Sequence, residues 1–343
     1  MTPRLICALF VAIAACEPSS APNQPGGDAH GSDSGLGGGG DASTVDALLA
    51  GQACASEAAA RCGKLMSCSP ADLSRRFGDV ATCEAREALA CSNGVAAPDT
   101  GTTPGTALAC GEALTALTCA DFLGKDPPAA CFPPGPNSGT CAFAAQCSTS
   151  FCSVGANALC GVCQAQPAVG ASCAASGCGQ TLVCDGNDHL CAMPVAANGA
   201  CNPTLPCDHG LACVGDTKTT NGTCKPVLTT VGAACDQTRK TRANCSGDDG
   251  LTCNTNTNKC VAQPLVAAGA PCGPISGVQT DCSAGASCVI PSNKTIGTCV
   301  APAIDGAACD TKAGPDCLTP ARCIPAAPPG TAGTCQLPGS KSC

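Results

Sequence analysis

The chain has no tryptophan and no tyrosine, and only six phenylalanines in 343 residues. Everything after Phe151 lacks an aromatic side chain. Aromatic groups supply the largest pieces of buried area, so the C-terminal half is not expected to build a large hydrophobic core. Charge is also sparse, at 12% of residues with a net charge of −8. No Lys or Arg falls between Lys125 and Lys218, and the local basic group Arg239, Lys240 and Arg242 lies among Asp236, Asp248 and Asp249. That distribution speaks against a nucleic-acid partner, which rewards a basic stripe, and reads as a solvated loop. The apolar run over residues 5–15 is too short for a membrane-spanning helix, which needs about 20 residues.

Catalytic signatures are missing too. The three histidines, His30, His189 and His209, accompany no Gly-x-Ser-x-Gly or other nucleophile motif, so no triad can be nominated and the histidines read as solvated loop residues. Cys160-Gly161-Val162-Cys163 is a lone Cys-x-x-Cys without a βαβ context or a second pair of ligands, which favours structural disulfides over a redox or zinc site. Asp185-Gly186-Asn187-Asp188 and Asp248-Asp249-Gly250 are too short of oxygens for calcium and read as acidic turns. No catalytic residue, metal ligand or cofactor is assigned, and no alternation of strand and helix suggests a metabolic enzyme fold.

What the chain has instead is cysteine, 36 in all. That level marks a disulfide scaffold made in an oxidising compartment. Residues 1–15 read as a secretory signal whose end, Ile13-Ala14-Ala15-Cys16, has the form of a lipobox, so Cys16 is the expected lipidation site. Ala12-x-Ala14 also permits ordinary cleavage, and Cys7 is only an apolar residue within the signal. Residues 16–43 then form a Gly/Ser/Pro/Asp-rich tether, unable to offset the entropy of ordering. As a flexible chain it spans on the order of 30 Å.

Residues 44–138 carry helical punctuation and eight cysteines: Cys54, Cys62, Cys68, Cys83, Cys91, Cys110, Cys119 and Cys131. One helix is expected over 46–66, and Ser69-Pro70-Ala71-Asp72 offers a capping hydroxyl, a first-turn proline and an acid for a second. Asp79 caps a third that should stop at Asn93-Gly94, and Thr103-Pro104 opens a last one reaching Cys119 or Leu123. The expectation is a small helical domain cross-linked by up to four disulfides, with a pairing that spacing does not reveal.

From Gly139 the cysteines fall into register. A first unit (139–168) holds Cys141, Cys147, Cys152, Cys160 and Cys163. Five four-cysteine modules follow: Cys173, Cys178, Cys184 and Cys191 in 169–197; Cys201, Cys207, Cys213 and Cys224 in 198–228; Cys235, Cys245, Cys253 and Cys260 in 229–266. The last two are Cys272, Cys282, Cys288 and Cys299 in 267–303, and Cys309, Cys317, Cys323 and Cys335 in 304–343. The gap between second and third cysteines is five residues in four modules and seven in the other, while the outer gaps vary. A fixed central turn is expected, with a positive φ at Gly210, Gly250 and Gly285. Thr181 and Pro320 replace that glycine, so their turns should differ. Gly222-Thr223, Gly297-Thr298 and Gly333-Thr334 suggest a tight turn into a short strand before the fourth cysteine. The fold class is therefore small and disulfide-rich: a helical domain followed by short loop and β-hairpin modules with little conventional core.

Gly-x-x-Cys, Cys, Gly-x-x-Cys, Gly-Thr-Cys over 139–335, together with the lipobox and the Ala-rich cysteine helices, resembles the cysteine-rich repeat lipoproteins of myxobacteria. Their modules are similar to the N-terminal cysteine-rich region of Dickkopf proteins and, more loosely, to EGF-like modules. The aromatic residue often found before the third cysteine in the Dickkopf pattern is absent here. The resemblance implies an exported lipoprotein of the bacterial cell envelope, at the outer membrane or cell surface.

The expected function is non-enzymatic: modules held near a membrane by a lipid on Cys16, presenting loops to a protein or glycan partner for adhesion, binding or envelope structure. The alternative is a protease-inhibitor or receptor-antagonist role, with 289–298 as its loop. Any partner should be read by the variable stretches 273–281 and 289–296. Three Asn-x-Ser/Thr sequons, at Asn221, Asn244 and Asn293, are expected to be unused. Setting Cys7 and Cys16 aside leaves an even number of cysteines, yet the first unit and Cys343 are each odd. Either Cys343 reaches back to the first unit or its thiol is free or intermolecular; the second is favoured.

Overall fold

Alanine-rich sequence runs as one helix, α1 (Asp41–Cys68), in the first part of the chain that the structure describes. The computed structural model describes residues 41–343, apart from 125–126, 156–157, 174–177, 180, 186–187, 218–219, 327–329 and 340–342, with side chains from residue 49 onward. The expected signal, Cys7, Cys16, His30 and most of the tether lie outside the described residues.

α2 (Pro70–Arg76) begins with the expected proline, but the Ser69 side chain makes no cap bond. Its hydroxyl donates instead to the Asp248 carbonyl at 3.1 Å, far along the chain. α3 (Val80–Val95) is capped as expected, with Asp79 accepting from Thr82 N at 2.7 Å. That bond holds the Asp79 carboxyl below its usual range. Asn93-Gly94 does not end the helix: its C-cap, Ala96, is right-handed at φ −78°. α4 (Pro104–Ala116) carries a reciprocal Thr103/Thr106 capping box. The chain then breaks at Leu117, and α5 (Cys119–Leu123) restarts with Thr118 as its own cap, so the expected single helix is two.

Four disulfides stitch these helices: Cys54–Cys91, Cys62–Cys83, Cys68–Cys119 and Cys110–Cys131. Leu65, Leu73 and Phe77 pack around Cys62 and Cys83, with Val80 and Phe122 against them. Gly111 lets α4 approach α1, since a Cβ there would lie 3.2 Å from Glu57 Cα. The helical domain thus has a small conventional core.

The modules follow one pairing rule. First joins third and second joins fourth: Cys173–Cys184 and Cys178–Cys191, Cys201–Cys213 and Cys207–Cys224, Cys235–Cys253 and Cys245–Cys260. Cys272–Cys288 and Cys282–Cys299, then Cys309–Cys323 and Cys317–Cys335, complete the five. The first unit obeys it too, with Cys141–Cys152 and Cys147–Cys163, once Cys160 is set aside. In every unit the third and fourth cysteines face each other across an antiparallel hairpin, as Cys213 does Cys224 and Cys288 does Cys299. The cores of these modules are mostly sulfur: Cys272, Cys282 and Cys299 with Val266 and Ala286, for example.

The glycines sort by cause. Gly210, Gly250 and Gly285 have φ of +75°, +67° and +72°, as expected, whereas Thr319-Pro320 is a cis peptide. The glycine two before the fourth cysteine is not in a turn, contrary to expectation. It sits within a strand opposite the first cysteine, in the pairs Cys201↔Gly222, Cys272↔Gly297 and Cys309↔Gly333. A Cβ on Gly297 or Gly333 would collide with the carbonyl oxygen of Val289 or Ile324 on the facing strand.

Linkers between modules are structured. The residue after each second cysteine donates its N–H to a linker carbonyl: Ser148 to Asn137, Gly179 to Pro167, Asp208 to Val195, Ser246 to Leu228, Ser283 to Val266 and Leu318 to Ala303. Among the described residues, all of these linkers but the one at Pro167 pair in parallel with the module they lead into.

The modules are not beads on a string. Residues 42–343 form one compact unit, in which modules are joined to the helical domain at several points. The first unit donates through Gln146 Nε2 to the Pro98 carbonyl at 2.9 Å. Modules 169–197 and 198–228 line a cavity with Leu123 and Gly124 at the end of α5. Asp248 holds Ser69, and the N–H groups of Ala284 and Gly285 cap the Ser74 and Arg75 carbonyls in the last turn of α2, at 2.9 and 2.8 Å. Arg86 of α3 pins the last module: its guanidinium forks onto both Asp305 oxygens at 2.7 and 2.8 Å. It also donates to the Leu318 and Thr319 carbonyls.

Cys343 completes the enclosure. It bonds Cys160, a separation of 183 residues, where the sequence favoured a free or intermolecular thiol. Spacing alone could not show that the array turns back on itself, so that the last module meets the first unit. Arg322 Nη1 donates to the Ala158 carbonyl at 3.1 Å, and Thr140 Oγ1 to the Cys343 carbonyl at 3.3 Å.

Candidate binding surface

Of the two variable stretches expected to read a partner, one is already occupied. Residues 273–281 fold as a hairpin, Pro271–Ile275 against Val278–Cys282, whose turn carries positive φ at Ser276 and Gly277. That turn docks on the preceding module: Thr255 N donates to the Gly277 carbonyl at 2.8 Å and Asn256 Nδ2 to the Ser276 carbonyl at 2.9 Å. Its edge toward α2 carries Asp281, 3.4 Å from Arg75 Nε. The hairpin is an internal joint, and the expectation that it is free to bind is corrected.

Residues 290–296 are different. Every one is exposed, joining the strands Ser287–Val289 and Gly297–Val300. Ile290 and Ile296 are each 47% exposed, standing at the two ends of the loop. Between them Lys294 N donates to the Pro291 carbonyl at 3.1 Å with Asn293 at φ +66°, which closes a turn at the tip. The base is clamped from below, since a Cβ on Gly273 would lie 2.7 Å from the Thr295 carbonyl. The result is a stiff loop offering two isoleucines and one lysine. A tip closed by a turn is not the extended strand with which substrate-like inhibitors fill a protease cleft.

The helical domain has two adjoining cavities of about 290 and 350 Å³ that share Arg61, Glu87 and Phe132. Arg61 lies 3.2 Å from a Glu57 oxygen and 3.5 Å from a Glu87 oxygen. One guanidinium thus offsets two carboxylates, an arrangement that fixes α1 against α3. The larger cavity is lined by Leu65, Leu114, Leu117, Phe122 and Leu123.

Other singled-out residues have structural work. His209, expected to be a solvated loop residue, lies 3.1 Å from Asp248 Oδ2 and bridges two modules. Asp248 also joins Ser69 through its carbonyl, so the acidic turn is a joint. Arg239, Lys240 and Arg242 are exposed, as expected. Their loop wraps Asp236, which accepts from Thr238 and Thr241; the Thr238 hydroxyl is the main cause holding its carboxyl far below the usual range. Cys160 and Cys163 do not pair with each other, and their partners are Cys343 and Cys147. The groups of three cysteine sulfurs within 4.8 Å combine sulfurs of neighbouring disulfides. Asn221 and Asn293 are exposed, whereas the Asn244 side-chain oxygen is buried. Among the described residues, no helix is long and apolar enough to cross a membrane. No protein-family model matches the chain, and neither a curated protein nor a solved structure is significantly similar to it.

Proposed function

We propose that the chain is an exported, non-enzymatic lipoprotein of the bacterial envelope, held by a lipid on Cys16, that presents its disulfide modules for surface binding, adhesion or envelope structure. The observation that carries this reading is that all cysteines in the described residues are consumed in 17 disulfides that rigidify a frame around an exposed loop. Such a frame binds by preorganisation: a loop already fixed loses less entropy on meeting a partner. The 290–296 loop is the proposed contact, with Ile290 and Ile296 as apolar anchors for a protein partner. The turn at its tip favours a binding role over the protease-inhibitor alternative.

Two measurements test this. Metabolic labelling with an alkyne fatty acid should tag the full chain and should fail in Cys16→Ser, which should leave the membrane fraction. An unlabelled wild-type chain recovered in the medium would sink the anchor. For the loop, envelope preparations are cross-linked to wild type and to Ile290→Ser/Ile296→Ser. The expected outcome is an adduct that weakens at least tenfold in the variant, and equal cross-linking refutes the contact.

A further inference from the structure

We infer that Cys343 Sγ is a thiol–disulfide exchange site, at which an exported dithiol of the thioredoxin-like class opens the Cys160–Cys343 bond and leaves every other disulfide closed. Exchange requires a thiolate to reach a sulfur in line with the bond, so access selects the bond that reacts. Fifteen of the 17 bonds contain at least one buried cysteine; the two that do not are Cys68–Cys119 and Cys160–Cys343. Cys343 is exposed while its partner Cys160 is half-buried, so an incoming thiolate meets the Cys343 sulfur first.

Charge selects further. Arg322, bonded to the Ala158 carbonyl, places a guanidinium beside the segment that carries Cys160. A nearby cation favours a departing thiolate there. Attack at Cys343 with departure of Cys160 is therefore the favoured direction.

The reaction balances without a further reagent. A dithiol thiolate attacks Cys343 Sγ, a mixed disulfide forms, and the electron pair of the broken bond leaves on Cys160, which takes a proton. The second thiol of the dithiol then attacks the mixed disulfide and releases Cys343. Two electrons and two protons pass from the dithiol to the chain, and the dithiol becomes a disulfide.

What opens is specific to this bond. Breaking Cys68–Cys119 leaves its ends inside a domain that retains three other cross-links. Breaking Cys160–Cys343 frees the last module from the first unit, where the described direct hydrogen bonds are those of Arg322 and Thr140 and a 3.7 Å contact of Cys343 Sγ with the Leu159 carbonyl. The inference does not depend on lipidation or on the partner of the 290–296 loop.

The test titrates the oxidised full-length protein with dithiothreitol, quenches with iodoacetamide and maps alkylated peptides by mass spectrometry. Cys160 and Cys343 should be half-alkylated at a dithiothreitol concentration at least tenfold below that for Cys68, Cys119 or any module cysteine. Opening of Cys68–Cys119 at the same or a lower concentration overturns the assignment, as does a single concerted reduction of all bonds. In Cys160→Ser/Cys343→Ser the early alkylation should vanish, and proteolysis of the last module should match that of the selectively reduced wild type. Persistence of early alkylation at other cysteines in this variant also overturns it. The wild-type titration decides the matter even where the variant folds poorly.

Discussion

Arg86 makes four hydrogen bonds to another part of the chain, and that use was invisible in the sequence. Asp305 and the Leu318 and Thr319 carbonyls lie more than 200 positions away, with no periodicity to link them to α3. Arg86→Ala should loosen the last module by about 2 kcal/mol, the scale of hydrogen bonds to a charged group, with a local rise in amide exchange across 304–325. The Arg86 hydrogen bond, aided by its charge, holds the Asp305 carboxyl below its usual value of 3.8. A depressed carboxylate contributes stability above the unfolded-state pKa and loses it as pH falls through the folded value. Docking of the last module should therefore be constant from neutral pH down to about 4 and weaken only below it, which exchange measured at stepped pH will check. Ser69 shows the limit of local rules. Its position before Pro70 signals a helix start correctly, yet its hydroxyl bonds Asp248, because a partner folded against the helix end outcompetes the cap.

At the scale of the element, cysteine spacing made the turn that leads into the hairpin legible, because the near-constant gap between second and third cysteines carries a positive-φ glycine in three modules. Two glycine positions then part ways. Gly210 and Gly285 share the third-cysteine register and a positive φ, but a Cβ on Gly210 meets nothing, while on Gly285 it would lie 3.0 Å from the Arg76 carbonyl and closer still to Leu318. Gly210→Ala should cost about 1 to 2 kcal/mol from backbone strain alone. Gly285→Ala should cost more and should release α2 from its module, seen as exchange of the Ala284 amide. Gly297→Val tests the other class: the side chain strikes the Val289 carbonyl, so Cys288 and Cys299 should lose their facing register and the module should fail to form both bonds on oxidative refolding. The first-to-third and second-to-fourth pairing was not legible, since four cysteines permit three connectivities and spacing does not choose among them. Nor was the role of 273–281, whose turn residues look like a free loop until the preceding module is placed beside them.

For the molecule as a whole, module bonds with separations of 11 to 18 residues each contribute about 3 kcal/mol in the chain-entropy account. Full reduction should abolish the hairpins, as measured by circular dichroism, with the helical domain held to its small Leu65, Leu73 and Phe77 core. The 183-residue closure contributes at most about 5 kcal/mol on the same account, and less in fact, because the bonds inside it already shorten the path. What could not be read was closure itself, which depends on how successive modules turn through their linker strands.

That closure has an evolutionary corollary. Tandem arrays that stack in the open can gain or lose a copy without disturbing their ends, and their copy number is free to drift. Here the two ends must meet, and the last three modules each hold a distinct place on the helices. Duplicating or deleting one module would shift every later docking residue to the wrong helix position and part the terminal cysteines. The clasp therefore acts as a counter: it makes the number of copies a property under selection, and point variation in loops such as 290–296 the route left open for change.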